Sequence, residues 1–274
     1  MQNIQDRLAN GDILICDGAM GTQLQDRGLE PGECPELWCV ERADDVRAIH
    51  RGYREAGSDI VYTCTFGANA PRLKQFGIRK SVRAMNRDLA VLSREAAGQA
   101  WVFGDIGPSR TFLAPRGDIP FDRAVEAKRE QVRGLLDGGV DGFVVETMMD
   151  IQEARASLLA IRDLCDLPVL ASVTLDSHGR CLTGADFAVA VVTLQSLGAD
   201  AVGCNCSTGP ADMVAHLREV RPYARVPLLA KPNAGMPTDS GAGVEFDIGP
   251  EEFVGYVPEL LRRGVCILGG CCGT

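Results

Sequence analysis

The sequence predicts an α/β fold, a single (β/α)8 barrel, on three observations. Eight short runs of β-branched or apolar residues recur along the 274 residues, and amphipathic stretches with helical spacing separate them. Three of those stretches also end in the same punctuation, a helix-terminating glycine placed just before a strand: Glu55-Ala56-Gly57-Ser58-Asp59, Asp137-Gly138-Gly139-Val140-Asp141 and Ser196-Leu197-Gly198-Ala199-Asp200. Continuous apolar strands imply a parallel sheet buried on both faces, and eight strand–helix units in about 250 residues favour a closed barrel over an open sheet.

In chain order the strands are expected over 13–16, 59–62, 101–104, 142–145, 169–173, 201–204, 227–230 and 265–268. Seven helices connect them, over 44–56, 81–97, 121–136, 151–164, 184–197, 211–220 and 251–263, each set by apolar residues at helical spacing. Two irregular stretches, 107–120 and 232–250, follow strands three and seven and should be loops at the C-terminal face, where barrels of this kind build their sites. Nothing follows strand eight except a few residues, so the outer helix over strands eight and one is expected to be missing. Residues 2–9 can form only a short helix, too small to cover that wall alone; a longer natural chain or a neighbouring molecule is the expected cover. There is no linker and no low-complexity tract, so residues 1–274 read as one domain.

Twenty-eight Lys and Arg against 37 Asp and Glu give a net charge of −9, which argues against nucleic acid or an acidic membrane face and for a small-molecule partner. The longest apolar runs fall far short of the roughly 20 residues of a membrane helix. The first fifteen residues carry Asp6, Arg7 and Asp12 and lack the pattern of a secretory signal, which predicts a cytoplasmic protein. Eleven cysteines, an odd number, then read as thiols rather than a disulfide framework. His50 and His216 fall on expected helices, at the surface or half-buried, and His178 falls in a turn.

A barrel gathers the C-terminal ends of its strands at one mouth: Asp17, Thr63, Thr65, Asp105, Glu146, Thr174, Asn205, Cys206, Lys231, Asn233, Cys271 and Cys272. The adjacent thiols Cys271 and Cys272 after Gly269-Gly270 serve no packing purpose that Ala or Ser would not, whereas two such thiols and one from another strand suit zinc. Three ligands and one exchangeable position make a catalytic rather than a structural centre. Of Cys204 and Cys206, Cys206 sits after the strand, at the mouth, and is the expected third ligand, with Cys204 one pleat back in the core. The bland alternative is a set of inert thiols or a redox pair. Asp17 and Glu146 place two carboxylates at the same mouth, suited to an ammonium group; otherwise Asp17 is a turn residue and Glu146 an acid at a helix start. Few aromatic residues, 5%, argue against reading the pair as a glycosidase dyad.

These motifs resemble the zinc-dependent homocysteine S-methyltransferases. The resemblance rests on Asp17-Gly18-Ala19-Met20-Gly21-Thr22, Thr63-Cys64-Thr65-Phe66-Gly67-Ala68-Asn69, Glu146-Thr147-Met148-Met149-Asp150, Asn205-Cys206-Ser207, Lys231-Pro232-Asn233-Ala234-Gly235 and Gly269-Gly270-Cys271-Cys272-Gly273-Thr274. The segment around Pro232 to Gly235 looks most like the homocysteine-binding module of cobalamin-dependent methionine synthase. It implies zinc on Cys206, Cys271 and Cys272, homocysteine held as thiolate and methylated to methionine, and Asn233 as a weak oxygen ligand in the open position, because Gly67 stands where some relatives carry tyrosine. It also implies that Asp17 and Glu146 read the amino group and that backbone amides around Gly18, Ala19 and Thr63 face the carboxylate.

The methyl donor is less constrained. The resemblance favours methylcobalamin, free or carried by a corrinoid protein, since the chain has no cobalamin module of its own. S-methylmethionine, S-adenosylmethionine and betaine are the alternatives; betaine would call for an aromatic cage, to which Trp38, in an early loop, could contribute. Two other classes are a non-catalytic zinc- or thiol-binding barrel subunit, and an aldolase or lyase using Lys231 as a Schiff-base nucleophile.

Overall fold

Side chains alternate across each strand of the barrel, and this alternation divides the apolar residues into two cores. In the computed structural model, which describes residues 4–239 and 244–274, the chain forms β1 (Leu14–Ile15), β2 (Ile60–Tyr62), β3 (Trp101–Ile106), β4 (Gly142–Met148), β5 (Val169–Val173), β6 (Ala201–Asn205), β7 (Leu228–Lys231), β8 (Pro237–Asp239), β9 (Val244–Phe246) and β10 (Val265–Leu268). Eight of these make one parallel sheet in the order β1-β10-β7-β6-β5-β4-β3-β2. Its two ends meet at a parallel bridge between Cys16 and Ile60, where the Asp17 N–H donates to the Ile60 carbonyl at 2.9 Å. The expected (β/α)8 barrel, the TIM-barrel architecture, is therefore what the chain builds.

Inside the barrel, Leu14, Ile60, Tyr62, Phe103, Val144, Leu170, Ala201, Leu229 and Ile267 form the inner core. The intervening residues, among them Val61, Val102, Val145, Val169, Ala171, Val202 and Ala230, face outward and pack on the helices through Leu135, Leu158, Val191 and Leu217. Each of the valines and leucines among them contributes roughly 1.5–3 kcal/mol on burial. At the C-terminal ends the inward positions turn polar in step: Asp105 follows Phe103 by two, Glu146 follows Val144, Ser172 follows Leu170 and Lys231 follows Leu229. That change lays a polar mouth on an apolar plug.

The connecting helices lie close to their expected spans: Ala43–Glu55, Val82–Ala97, Phe121–Asp137, Ile151–Arg162, Phe187–Ser196 and Pro210–Val220. The expected helix over 251–263 is two, Pro250–Gly255 and Val257–Arg262. Pro258 explains the break, since it lacks an N–H and its ring clashes with the carbonyl four residues back. Short helices Gly21–Gln25, Pro35–Glu41 and Ala70–Gln75 were not anticipated; the last is capped by the Asn69 side chain, which accepts from the Arg72 N–H. The 232–250 stretch is less irregular than expected, because β8 and β9 pair antiparallel within it; residues 240–243 lie outside the described residues.

The N-terminal helix, Ile4–Asn10, takes a different place from the outer wall: Ile4 and Leu8 join the inner core, so it stoppers the N-terminal end of the barrel. Residues 2 and 3 of the expected helix are outside the described residues. Ile13 and Ile15, outward positions at the first strand, stay 50% and 39% exposed. Among the described residues no helix is long and apolar enough to cross a membrane.

Candidate metal and substrate site

Two strand ends deliver the thiols. Beyond β6 the backbone turns at Cys206 and Ser207, with φ of 63° and 62°. Left-handed backbone at non-glycine residues costs about 1–3 kcal/mol each, so surrounding bonds must hold it. The Cys206 N–H donates to the Lys231 carbonyl (3.1 Å), and the Thr208 N–H to the Cys206 carbonyl (2.7 Å). Beyond β10, Gly269 and Gly270 let the chain pass close to the first strand and its own terminus: a Cβ on Gly269 would lie 2.9 Å from the Asp17 carbonyl oxygen, and one on Gly270 would clash with the Thr274 side chain. The Cys271 N–H then anchors on the Pro232 carbonyl at 2.8 Å.

The sulfurs of Cys206, Cys271 and Cys272 consequently lie within 4.8 Å of one another, all half-buried. Tetrahedral zinc with Zn–S near 2.3 Å separates its sulfurs by about 3.8 Å, so the donor set fits that ion in number, type and spacing. Hydrogen bonds from the Cys271 and Cys272 thiols pull Cys206 down to about 3, and the same sharing pushes Cys272 up to about 11 and raises Cys271. One thiolate is thus already favoured among the three. Cys204 is 2% exposed in the outer core, and burial raises its pKa. Asn233 joins the group: its Oδ1 accepts from the Cys272 N–H at 3.1 Å, and its side chain hydrogen-bonds Cys206. A carbonyl oxygen has two lone pairs, so one remains for a metal.

Asn205, placed at the mouth by the sequence but given no role, is a hub. Its Oδ1 accepts from the Thr147 N–H (2.8 Å) and Ser172 Oγ (2.7 Å); its Nδ2 donates to Thr147 Oγ1 (2.7 Å) and to Cys271 Sγ (3.8 Å). The clamp accounts for Thr147 sitting at φ 58° directly after Glu146. Beside it, Thr174 Oγ1 and Ser207 Oγ share a short hydrogen bond.

The two expected ammonium readers differ in their surroundings. Asp17 is 3% exposed, and its Oδ1 pairs with Lys231 Nζ at 3.0 Å while Oδ2 accepts from the Tyr62 N–H at 2.7 Å. Glu146 is half-buried and, among the described residues, has no hydrogen-bond partner; burial, only partly offset by Lys231, pushes it up to about 7. Asp105, 5% exposed with Oδ1 unpartnered, is raised well above the carboxylate range by burial and by Glu146. Of the three expected backbone donors, the Ala19 N–H is engaged by Thr274 Oγ1 (3.1 Å) and the Thr63 N–H by the Phe103 carbonyl (2.9 Å). Thr63 Oγ1 bonds Thr65 Oγ1 at 2.6 Å and accepts from the Asp105 N–H at 2.9 Å. The Gly18 N–H has no acceptor among the described residues.

Several expectations are corrected. Trp38 is in the helix Pro35–Glu41, not a loop, and is buried in a satellite core under Arg42, while Trp101 lies at the opposite end of the barrel beneath Arg7. Trp38 is 6% exposed, so its ring is not open to solvent. His50 is fully buried and His216 is 8% exposed; burial lowers His50 to about 4, and its Nε2 meets Ser93 Oγ at 3.0 Å. Lys231 is the wrong lysine for a Schiff base: burial would lower its pKa, but Asp17 and Glu146 outweigh burial and raise it, whereas an amine nucleophile must shed its proton.

A closed parallel barrel with three thiols gathered at its mouth beside two carboxylates defines a class, (β/α)8 barrels with a donor set that could hold a metal ion. The family model for homocysteine S-methyltransferases matches residues 14–274, and the chain belongs to that family. It is 36% identical to methionine synthase of Mycobacterium leprae (strain TN) over 286 residues, covering 96% of this chain and 23% of that protein. Methionine synthase of Mycobacterium tuberculosis (strain ATCC 25618 / H37Rv) is likewise 36% identical, with 96% and 24% covered. The chain thus spans less than a quarter of the length of these relatives. The metallated homocysteine methyltransferase MmuM of Escherichia coli superposes with a TM-score of 0.81 at 23% identity, covering 100% of this chain and 96% of that one. The carboxyl transferase domain of Rhizobium etli pyruvate carboxylase reaches 0.57 at 16% identity. Both likenesses speak to the fold.

Proposed function

We propose that residues 1–274 form one homocysteine-binding barrel domain that methylates the sulfur of homocysteine to give methionine, with zinc on Cys206, Cys271 and Cys272. The observation that carries this reading is the convergence of three sulfurs within 4.8 Å beside the Glu146 carboxylate, which has no partner among the described residues. When bound, zinc supplies the positive charge that keeps an acceptor sulfur ionised at neutral pH, where a free alkyl thiol is mostly protonated. Asn205 steadies Cys271, and Asn233 bridges Cys206 and the Cys272 backbone, leaving a lone pair for the open position. Glu146 accepts the substrate ammonium, and the Gly18 N–H faces its carboxylate, with Ala19 and Thr63 shaping that wall. The thiol proton leaves to solvent; the sulfur lone pair forms the new S–CH3 bond, and the donor keeps the electrons of the bond it loses.

Methylcobalamin, free or on a corrinoid protein, is the donor this reading favours, supported by the likeness to methionine synthases and by the segment Pro232 to Gly235. Trp38 is buried beneath Arg42 and Trp101 lies at the opposite end of the barrel beneath Arg7, which weighs against a betaine cage built from them. Eleven free thiols suit a reducing compartment such as the cytoplasm. The test is a methyl-transfer assay on zinc-quantified protein with homocysteine and each donor in turn. Zinc-dependent methionine formation is expected, fastest with methylcobalamin; a zinc-replete protein that methylates no thiol overturns the activity.

A further inference from the structure

A second cavity, of about 630 Å³, opens between the helix Ala70–Gln75, the 107–120 segment and the helix Phe121–Asp137. None of the three clustered thiols lines it, and neither does Asp17 or Glu146, so it is a space apart from the mouth. Small-molecule pockets run from about 300 to 1,000 Å³, and this one falls within that range. Its lining includes the buried pair Lys128–Glu153, 3.0 Å apart, which clamps the chain as it leaves β3: Lys128 Nζ donates to the Gly107 carbonyl at 2.7 Å and Glu153 accepts from the Ser109 N–H at 2.6 Å. Leu113, Ile119 and Ala127 add apolar surface. Asn69, fully buried, lines it as well; its Oδ1 caps the helix Ala70–Gln75 by accepting from the Arg72 N–H, and its Nδ2 has no acceptor among the described residues.

The charges that remain at this cavity are positive. Lys128 is neutralised by Glu153, but Lys74 and Arg123, both exposed lining residues, have no carboxylate within ion-pair distance among the described residues. Arg72 and Arg110, on the elements that form the cavity, lack one too, and the two lie close enough that Arg110, together with burial, lowers the pKa of Arg72. Arg110 stands between the lining residues Ser109 and Thr111 with φ of 57°, left-handed backbone that is costly for any residue but glycine. Arginines elsewhere on the neighbouring helices are paired, Arg83 with Asp137, Arg94 with Asp141 and Arg129 with Glu126. Asp118 and Asp122 neither line the cavity nor pair with these cations. In a chain of net charge −9, such a group of unpaired cations calls for an anion from outside.

We propose that this cavity is a second ligand site, one for a small organic anion with an apolar body: Lys74 and Arg123 hold the acid group, and Leu113, Ile119 and Ala127 take the apolar part. The site is independent of zinc and of homocysteine.

The test titrates the zinc-loaded 274-residue chain with 8-anilino-1-naphthalenesulfonate and with N-phenyl-1-naphthylamine, the same rings without the sulfonate, by fluorescence and calorimetry. One saturable site per chain is expected, holding the sulfonate about fivefold or more tighter than the neutral amine, with the margin shrinking as salt is raised. Lys74→Gln/Arg123→Gln alters two exposed side chains; it should erase the margin and leave the neutral compound unchanged. Ala127→Phe fills the apolar side and should weaken both compounds by about tenfold or more. Melting temperature and zinc content are recorded on every variant, and saturating homocysteine should displace neither compound. Equal wild-type affinity for the two compounds, a Lys74→Gln/Arg123→Gln protein that holds the sulfonate as tightly as wild type, or displacement by homocysteine, which would put the probe in the mouth, overturns the proposal. Should Ala127→Phe not fold, the double variant decides alone. Protein that binds the sulfonate as expected but no homocysteine refutes the functional reading and leaves this site standing.

Discussion

Glu146→Gln is the substitution that most directly probes substrate recognition. The carboxylate is half-buried, unpartnered among the described residues, and pushed up to about 7 by burial, with Lys231 holding it down and Asp17 and Cys206 adding to the rise. A charged hydrogen bond is worth about 1.5–3 kcal/mol, so Glu146→Gln should weaken homocysteine by about 10- to 150-fold while leaving γ-mercaptobutyrate nearly unchanged. The sign of the pH dependence follows from the ionised form being the one that binds ammonium. Above pH 7 the group is charged and ready; at pH 7 ionising it costs about 0.4 kcal/mol, and at pH 6 about 1.4 kcal/mol, so homocysteine affinity should fall roughly tenfold from pH 8 to pH 6 on this account. Protonation of metal-ligand thiols and of the substrate thiol also weakens binding in acid, but it acts on both thiols alike, and the ratio of their affinities isolates Glu146. The assay is isothermal titration of zinc-loaded wild type and variant with each thiol at pH 6, 7 and 8. Equal losses for both thiols in Glu146→Gln, or a wild-type affinity ratio that does not move with pH, would refute the reasoning.

Other expectations concern the metal centre and its support. Cys206→Ser and Cys271→Ala should each lose zinc by elemental analysis, whereas Cys204→Ser should retain one zinc per chain and melt lower, since a hydroxyl buried in the outer core without a partner costs about 1–3 kcal/mol. Asn205→Ala strands the Thr147 N–H and the Ser172 hydroxyl; a loss of at least about 2 kcal/mol in denaturant titration is expected, together with weaker homocysteine binding. Lys128 and Glu153 form a second buried pair, 3.0 Å apart at 3% and 5% side-chain exposure, in which Glu153 also accepts the Ser109 N–H. Lys128→Met should cost about 3–5 kcal/mol in denaturant titration by leaving that carboxylate uncompensated, with zinc stoichiometry unchanged in the folded protein.

The barrel was legible because burial on both faces of a parallel strand is a local property, written in each run of apolar residues. Counting along β6 does not separate Cys204 from Cys206, which alternation would put on one face; Cys206 reaches the mouth because the strand ends at Asn205 and the backbone turns at Cys206 with φ of 63°. The Cys271-Cys272 pair was legible for a different reason, that adjacent thiols after two glycines have no use in packing. The surface or half-buried assignment of His50 failed because helical spacing did not reveal what lay above the helix, and Trp38, expected in a loop, lies in a short helix that the sequence reading did not include. The partition of roles at the mouth was not legible at all. No spacing relates Asp17 to Lys231, or Asn205 to both Thr147 and Cys271; those contacts exist only because the barrel brings the ends of strands distant in sequence to one mouth. Residue types and periods thus determined by themselves the barrel and the polar groups available at its mouth, whereas closure alone decided which carboxylate is neutralised and which stands open, because a buried charge takes its state from neighbours that only tertiary structure supplies.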